Sequence, residues 1–449
     1  VLESTHALNQ TTHMSPFAPW ETCTKAEEQV GIIQNLKENP MKIFDELEQR
    51  GLVKQTTNTE KICALLNDEQ TAFYIGFDPT ADSLHVGHLL QLVTAKRLSE
   101  AGHTAIMLIG GATAQVGDPT GKNDMRKMLD RHQLFLNEEG IEAQIQKIVP
   151  KSVRFNNSLW FIHSTGMSWL EFIRDIGPHF SVSNMLRAEC FKSRMENGGL
   201  TFLEFNYMIM QAFDFLKLNE WTGGQCKLQI GGDDQWSNIL AGIDLIHKKK
   251  KREVFGLTLP LLVNSDGTKM GKTERGAVWL DPEKTSPFEF FQFWRNISDG
   301  KVKQCINFFT NKICPAFEDL SIHFSNINEA KKFLAFEITK LVHGEVLAQQ
   351  ALEQAEALFE KRDSSGLEAI SVKEGTHILD TIVQCGFARS RTDARNLIIN
   401  RGITINDEVQ TNPTTLISKN LFGNEVILKK GKKHFCRLLI EDKCPDQIP

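Results

Sequence analysis

The chain is 449 residues long, 41% hydrophobic and 24% charged, with a formal net charge of −5. Those proportions are ordinary for a globular protein and the length exceeds one core, so roughly two to four domains are expected. No run approaches the about 18 consecutive apolar residues that a membrane span needs, and the nine cysteines, scattered without a CxxC pair, exclude a disulfide framework and a structural zinc site.

Residues 1–40 show little periodicity and read as an N-terminal extension. They hold Glu3, Glu21, Glu27, Glu28 and Glu38 against Lys25 and Lys37, and no arginine precedes Arg50. An organelle transit peptide is Arg-rich and poor in acids, so a cytoplasmic location is expected, with Met14 a candidate start. A helix over 41–50 is stopped by Gly51. From Thr71 the pattern alternates: a strand over 73–77, a helix over 86–101, and a strand over 104–109 closed by Gly110 and Gly111. That is a βαβ unit of a parallel sheet. Further strands over 159–163 and 227–230, each followed by a helix (168–176 and 234–248), make the fold class α/β, with a Rossmann-like parallel sheet that binds ligand at its carboxyl ends. A helical stretch over 180–218 is interrupted at Asn197-Gly198-Gly199. Amphipathic helices are expected over 288–296, 302–310, 328–343 and 346–360. Beyond a flexible linker near 361–366 come helices over 376–385 and 390–400 and strands over 403–405, 425–429 and 435–439.

Two segments carry chemistry. Around the first helix start the chain reads Asp78-Pro79-Thr80 and then His85-Val86-Gly87-His88, an HVGH motif. The two histidines share the face of a first turn, where free amides and the helix dipole favour a phosphate, and Gly87 permits close approach. The bland alternative is a helix start with two solvated histidines. The second segment, Lys269-Met270-Gly271-Lys272-Thr273, follows a turn-rich loop at 264–267. Its two lysines could reach the same phosphate chain and neutralise a leaving pyrophosphate, although a KxxK loop alone is usually a solvated surface. Their co-occurrence on one predicted sheet favours a nucleotide site.

HVGH and KMGKT stand where class I aminoacyl-tRNA synthetases carry their signature motifs, and the chain resembles bacterial-type tyrosyl-tRNA synthetases from about residue 41 to 445. Four further segments join the likeness: 110–113 (GGAT), 117–122 (GDPTGK), 207–214 (YMIMQAFD) and 229–235 (QIGGDDQ). The resemblance implies a catalytic domain over 41–265 with a helical insertion, an α-helical anticodon-binding domain over 266–362, a linker over 363–372 and a small α+β, S4-like RNA-binding domain over 373–445.

It also implies roles. Tyr74 and Asp214 correspond to the pair that bonds a substrate phenol; the alternative is a structural bond between them. Tyr207, Gln211 and Asp214 fall on one helix face, and Tyr207 and Gln211 with Asp118 correspond to groups that hold an α-amino group. Thr113 and Gln235 join this tyrosine set. The chain's only two tyrosines both fall at such positions, while phenylalanine occurs 29 times. Asp78, Pro79, Gly87 and Asp234 correspond to ATP contacts, alongside His85, His88 and Lys272. Lys122, Arg126 and Thr80, with Lys269 and Thr273, correspond to groups around pyrophosphate. Three departures stand out: the family commonly has Asn at Ser183, which shortens a contact near Tyr74 or shifts it to Asn184; Gln91 replaces a smaller residue; and Gly271 replaces the class Ser.

From Ser371 onward 12 Lys+Arg stand against 9 Asp+Glu, a net of +3, so the other 370 residues carry −8. Arg389, Arg391, Arg395 and Arg401, with Lys429, Lys430, Lys432 and Lys433, suit a phosphate backbone. Lys248–Arg252 reads as a helix C-terminal cap or a tRNA contact. The implied reaction joins L-tyrosine to ATP and then to tRNA(Tyr), with Mg2+ carried by ATP rather than by a protein cage and a homodimer formed through the helical insertion. Two rivals are a nucleotidyltransferase of the same histidine-motif superfamily and an RNA-binding protein built on a synthetase body.

Overall fold

The computed structural model describes residues 41–120, 129–162, 167–196, 199–265, 267–273, 276–315, 320–359, 369–406, 408–422, 425–431 and 434–441. The expected extension 1–40, Asn197-Gly198, the linker up to residue 368, and Lys122, Arg126, Lys432 and Lys433 lie outside the described residues.

Six strands form the main sheet: β1 Gln55–Thr56, β2 Ala72–Phe77, β3 Thr104–Ile109, β4 Val153–Asn156, β5 Cys226–Gly232 and β6 Phe255–Leu259, in the order β1-β6-β5-β2-β3-β4. All neighbours run parallel except β1, which closes the edge antiparallel to β6. β2 is buried throughout except at Gly76, as a central parallel strand covered on both faces must be. The chain builds outward from β2 through β3 to β4, then returns to add β5 and β6 on the other side. The order reverses between β2 and β5, and a crevice opens there at the carboxyl ends.

Several expectations need correction. The strand expected over 159–163 is a helix, Ser158–Phe161, and the edge strand β4 precedes it. Asn156 Oδ1 accepts from Ser158 N at 2.9 Å, turning the chain before residue 159 can extend. The stretch 180–218 breaks into Val182–Met185, Glu189–Glu196, Phe202–Phe205 and Tyr207–Trp221. Thr201 caps the third of these through a box with Glu204, which fixes a new helix start. The helices Thr59–Asn67 and Arg131–Ile148 and strand β6 were not expected.

After the short hairpin β7 Lys272–Thr273 and β8 Gly276–Ala277, four helices follow: Pro287–Arg295, Asp299–Phe309, Ile327–His343 and Glu345–Phe359. Ser286 and Glu289 form a capping box around Pro287, which suits a first-turn proline. These helices have no core of their own. One apolar cluster runs from Phe44 and Leu47 through Leu89 and Val93 to Phe290, Trp294 and Ile338, so the expected limit at 265/266 divides two stretches of a single core.

A buried charge cluster staples that junction. Glu46, on the helix Ile43–Gln49, accepts from Arg50 Nε at 2.6 Å and from an Arg97 Nη at 3.0 Å. Both guanidinium groups also donate to carbonyls that end the 299–309 helix, Arg50 to Asn307 and Thr310 and Arg97 to Thr310, where the helix dipole favours cations. Burial, with Arg50 beside it, pulls Arg97 down to about 10.

The C-terminal unit is a five-stranded sheet with its own core around Ile378, Ile382, Ile398 and Leu428. Its strands are β9 Ala369–Lys373, β10 Ile403–Ile405, β11 Glu408–Val409, β12 Glu425–Lys430 and β13 His434–Glu441, in the order β11-β10-β12-β13-β9. β9 pairs parallel with β13, so residues 369–372, expected in the linker, belong to this sheet.

Candidate functional site

The site is built on the turn after β2. His85 is the N-cap of the helix Val86–Glu100: its Nδ1 accepts from Gly87 N at 3.0 Å, and His88 Nδ1 accepts from His85 N at 3.2 Å. The two imidazoles thus form a reciprocal capping box and stack with centroids 4.0 Å apart. With each Nδ1 accepting, a neutral ring carries its proton on Nε2. Both histidines therefore present N–H edges at the positive end of a helix.

The preceding loop is held from behind by the unforeseen helix 131–148. Asn137, almost fully buried, donates to Pro79 O at 2.9 Å; Gln144 accepts from Leu84 N at 2.8 Å and donates to Ser83 Oγ at 2.9 Å. Polar side chains on the buried face of this helix replace the hydrogen bonds that a loop cannot make for itself. Thr80 is exposed, and its N–H donates to Asp78 O at 2.8 Å.

Behind that loop lies a chain of polar contacts. Asp78 accepts from Thr113 Oγ1 at 2.8 Å and from Tyr207 Oη at 2.9 Å. Gly110 is required beside it, because a Cβ there would come within 2.2 Å of Asp78 Oδ1. Asn157, fully buried, donates to Thr113 Oγ1 at 3.0 Å and to Asp214 Oδ2 at 3.1 Å, and Trp160 Nε1 donates to Asp214 Oδ1 at 2.8 Å. Nearby, Gln235 Nε2 donates to Asp118 Oδ2 at 2.7 Å. Burial pushes the Asp214 carboxyl up to about 8 against those two hydrogen bonds, with the Asp78 charge adding to the rise.

Among the buried polar atoms with no hydrogen-bond partner in the described residues, Tyr74 Oη, Thr120 Oγ1, Gln211 Oε1 and Gln229 Oε1 belong to this part of the molecule. Tyr74 is 1% exposed. Burial, then the Asp214 and Cys226 charges, holds its phenol well above the ordinary range. No bond joins Tyr74 to Asp214, so the structural alternative for that pair falls away. A buried hydroxyl left alone costs about 1–3 kcal/mol, a cost that a ligand with a polar end removes.

The KMGKT loop reaches the same edge. Lys269 Nζ lies 3.3 Å from Asp234 Oδ2. Met270 is buried, and its N–H donates to Leu262 O at 2.8 Å. Gly271, at φ 86°, accepts from Val278 N at 2.8 Å, while Val278 O accepts from Val86 N at 3.0 Å. Lys272 and Thr273 form β7; their side chains are outside the described set.

Most of the expected site residues are therefore gathered at one sheet edge. Ser183 and Asn184 are not: both are exposed on the helix 182–185, so that departure does not reach the buried pocket. The run Lys248–Arg252 ends the helix Trp236–Lys250. Lys248 and Lys249 donate to His179 O and Asp175 O, and Lys251 is a left-handed C-cap. Asn157, Trp160, Asn137 and Gln144 were missed. The one signal for the first two was a Trp whose indole N–H needs a partner when buried.

This sheet, with its two motifs, defines a class I tRNA synthetase. The family model for tRNA synthetases class I (W and Y) matches residues 66–360, and that for a tyrosine–tRNA ligase SYY-like C-terminal domain matches residues 359–438. A tyrosine–tRNA ligase of Clostridium botulinum is 46% identical over 410 residues, and one of Clostridium kluyveri 47% over 409; each match covers 89% of this chain and 99% of the relative. A C-terminally truncated mitochondrial tyrosyl-tRNA synthetase of Aspergillus nidulans superposes with a TM-score of 0.62 at 28% identity, covering 74% of this chain and 99% of that one. The chain belongs to the tyrosine–tRNA ligases.

Proposed function

We propose that the chain activates L-tyrosine with ATP and passes it to the 3′ end of tRNA(Tyr), using the residues gathered above. The tyrosine carboxylate attacks the α-phosphate as the bond to the pyrophosphate oxygen breaks. A terminal ribose hydroxyl of the tRNA then attacks the acyl carbon and displaces AMP. A carboxylate is already nucleophilic, so the first step rests on positioning and on charge stabilisation at the leaving group. The Nε2–H groups of His85 and His88, with Lys269, Lys272 and Thr273, take that part, joined by Lys122, Arg126 and Thr80. Asp234 takes the ribose. Mg2+ arrives with ATP.

The observation that carries this reading is the solitary Tyr74 hydroxyl, buried within reach of the Asp214 charge. A substrate phenol accepts from Tyr74 and donates to Asp214. Asp118, Gln211 and Gln235 then face its ammonium, while the bonds that Tyr207 and Thr113 each donate to Asp78 position the wall between phenol and ribose. Charging of tRNA with labelled tyrosine by the folded protein, together with tyrosine-dependent ATP–pyrophosphate exchange, is the test. Absence of tyrosine-dependent exchange, with nucleotide transfer to another acceptor, would favour the nucleotidyltransferase rival; failure of both exchange and charging in the folded protein would overturn the reading.

Tyr74→Phe is expected to move stability and binding in opposite directions. Without ligand it unfolds at higher temperature, since the unpaired buried hydroxyl is gone, yet it binds tyrosine more weakly by about 0.5–1.5 kcal/mol. Thermal melts with and without tyrosine measure both. A lowered melting temperature without ligand would show that the hydroxyl already has a partner.

Trp169, Leu170 and Phe202 in the helical insertion are 59%, 72% and 71% exposed, and the Trp169 and Phe202 rings lie 6.5 Å apart. Such a patch suits a second copy of the chain. Sedimentation that finds only monomer at micromolar concentration would count against the homodimer. The tRNA lies along the cleft between the helical bundle and the C-terminal sheet, which is lined by Phe288, Gln350, Phe387, Arg389, Asn396 and Lys430. A cytoplasmic enzyme is the location this reading takes, which fluorescent tagging of the full-length protein in its host checks.

A further inference from the structure

We infer that Gly271 is a positioning residue that sets the spacing between the HVGH helix start and the KMGKT loop, through a contact with Val86 that no side chain at 271 can share. A Cβ built on Gly271 would lie 2.1 Å from Val86 Cγ2. That is well inside van der Waals contact, and Val86 cannot yield. It is fully buried among the core residues, it occupies the first position of its helix, and a β-branched side chain in a helix is confined almost to one rotamer. The backbone at 271 is also left-handed, with φ 86°, which disfavours other residues independently of space.

The same small region is tied by one shared rung. Val278 donates its N–H to Gly271 O and accepts at its C=O from Val86 N, and Leu280 N donates to Leu84 O at 2.8 Å. Helix start and loop therefore sit on opposite sides of one residue. Any shift of Gly271 away from Val86 breaks that rung or carries Lys269 and Lys272 outward. Gly271 is not itself assigned to the substrate. It acts by holding the two lysines and the two histidines in one frame, and misplacement by about 1 Å can cost about 10²-fold in rate.

The inference rests on the site assignment proposed above, and the test separates the two. Tyrosine-dependent ATP–pyrophosphate exchange is measured on the full chain for wild type, Gly271→Ala, Val86→Ala and the double variant, with tyrosine binding as the check on folding. Gly271→Ala is expected to lose about 10²-fold in kcat with KM for tyrosine unchanged. Val86→Ala clears the space, so the double variant is expected to run about tenfold faster than Gly271→Ala, a non-additivity that independent, distant residues do not show. Should the alanine variant fail to bind tyrosine, Gly271→Asn carries the same cycle, because Asn tolerates the left-handed backbone while bringing a Cβ. Wild-type kcat in a 271 variant overturns the inference. So does a double variant no faster than the single one. A wild-type protein without exchange activity overturns instead the site assignment.

Discussion

Asp214→Asn is expected to lower kcat/KM for tyrosine by about 10²–10³-fold. The carboxyl already accepts from Asn157 and Trp160, and the proposed complex assigns its remaining lone pairs to the substrate phenol. An amide has one acceptor oxygen, so its NH2 must confront one of those donors or the substrate. Loss of a hydrogen bond to a charged group plus one unsatisfied buried donor is worth about 3–5 kcal/mol together, at 1.4 kcal/mol for each tenfold. A dependence on pH follows. The free carboxyl titrates at about 8, and a third donor on binding favours its ionised form. Below pH 8 binding must therefore expel a proton, and tyrosine affinity weakens by up to about tenfold per pH unit. Asp214→Asn removes this part of the slope. Exchange kinetics and tyrosine titrations between pH 6 and 9 test both claims; a variant with wild-type kcat/KM would remove Asp214 from the phenol site.

The same value has a sign for stability. An unfolded aspartate loses its proton near 3.8, the folded one near 8. The folded state therefore holds the proton longer, and the stability present below pH 3.8 is lost as pH rises through 8. A charged Asp214 therefore weakens the fold.

Glu46→Ala is expected to destabilise the folded chain by about 3–5 kcal/mol, because it leaves two neighbouring guanidinium groups buried without their shared anion. The Arg50 and Arg97 side chains are 3% and 11% exposed, and Arg97 Nε already has no partner. The solvent-facing Arg154–Glu142 pair, 30% and 50% exposed, is the internal control, and Glu142→Ala should cost under about 1 kcal/mol. Urea unfolding compares the two. Equal small losses would mean that water reaches the Glu46 cluster.

How much could be read beforehand depended on where each residue's partner lies. HVGH and KMGKT were legible because their chemistry is local: two histidines one turn apart, two lysines around a glycine. Tyr74 and Tyr207 stood out because Phe would have packed as well. Helix 131–148 was hidden by its own task, since the positions turned toward the loop are Asn137 and Gln144, and an apolar-period reading takes such residues for a solvent face. Asn157 and Trp160 were lost with the misplaced strand at 159–163. β9 is five residues whose parallel partner lies more than sixty positions away in sequence, beyond any local pattern. The Gly271 contact is likewise invisible until Val86 stands beside it.

The core shared between sheet and helical bundle also fixes a length. A bundle with its own core could swing on a hinge, but Phe290 and Trp294 pack in the same apolar cluster as Leu89 and Val93. The distance from the histidine cap to the outer helices is thus set by side-chain packing rather than by a hinge, and a core substitution at Phe290 or Trp294 would be felt at the site.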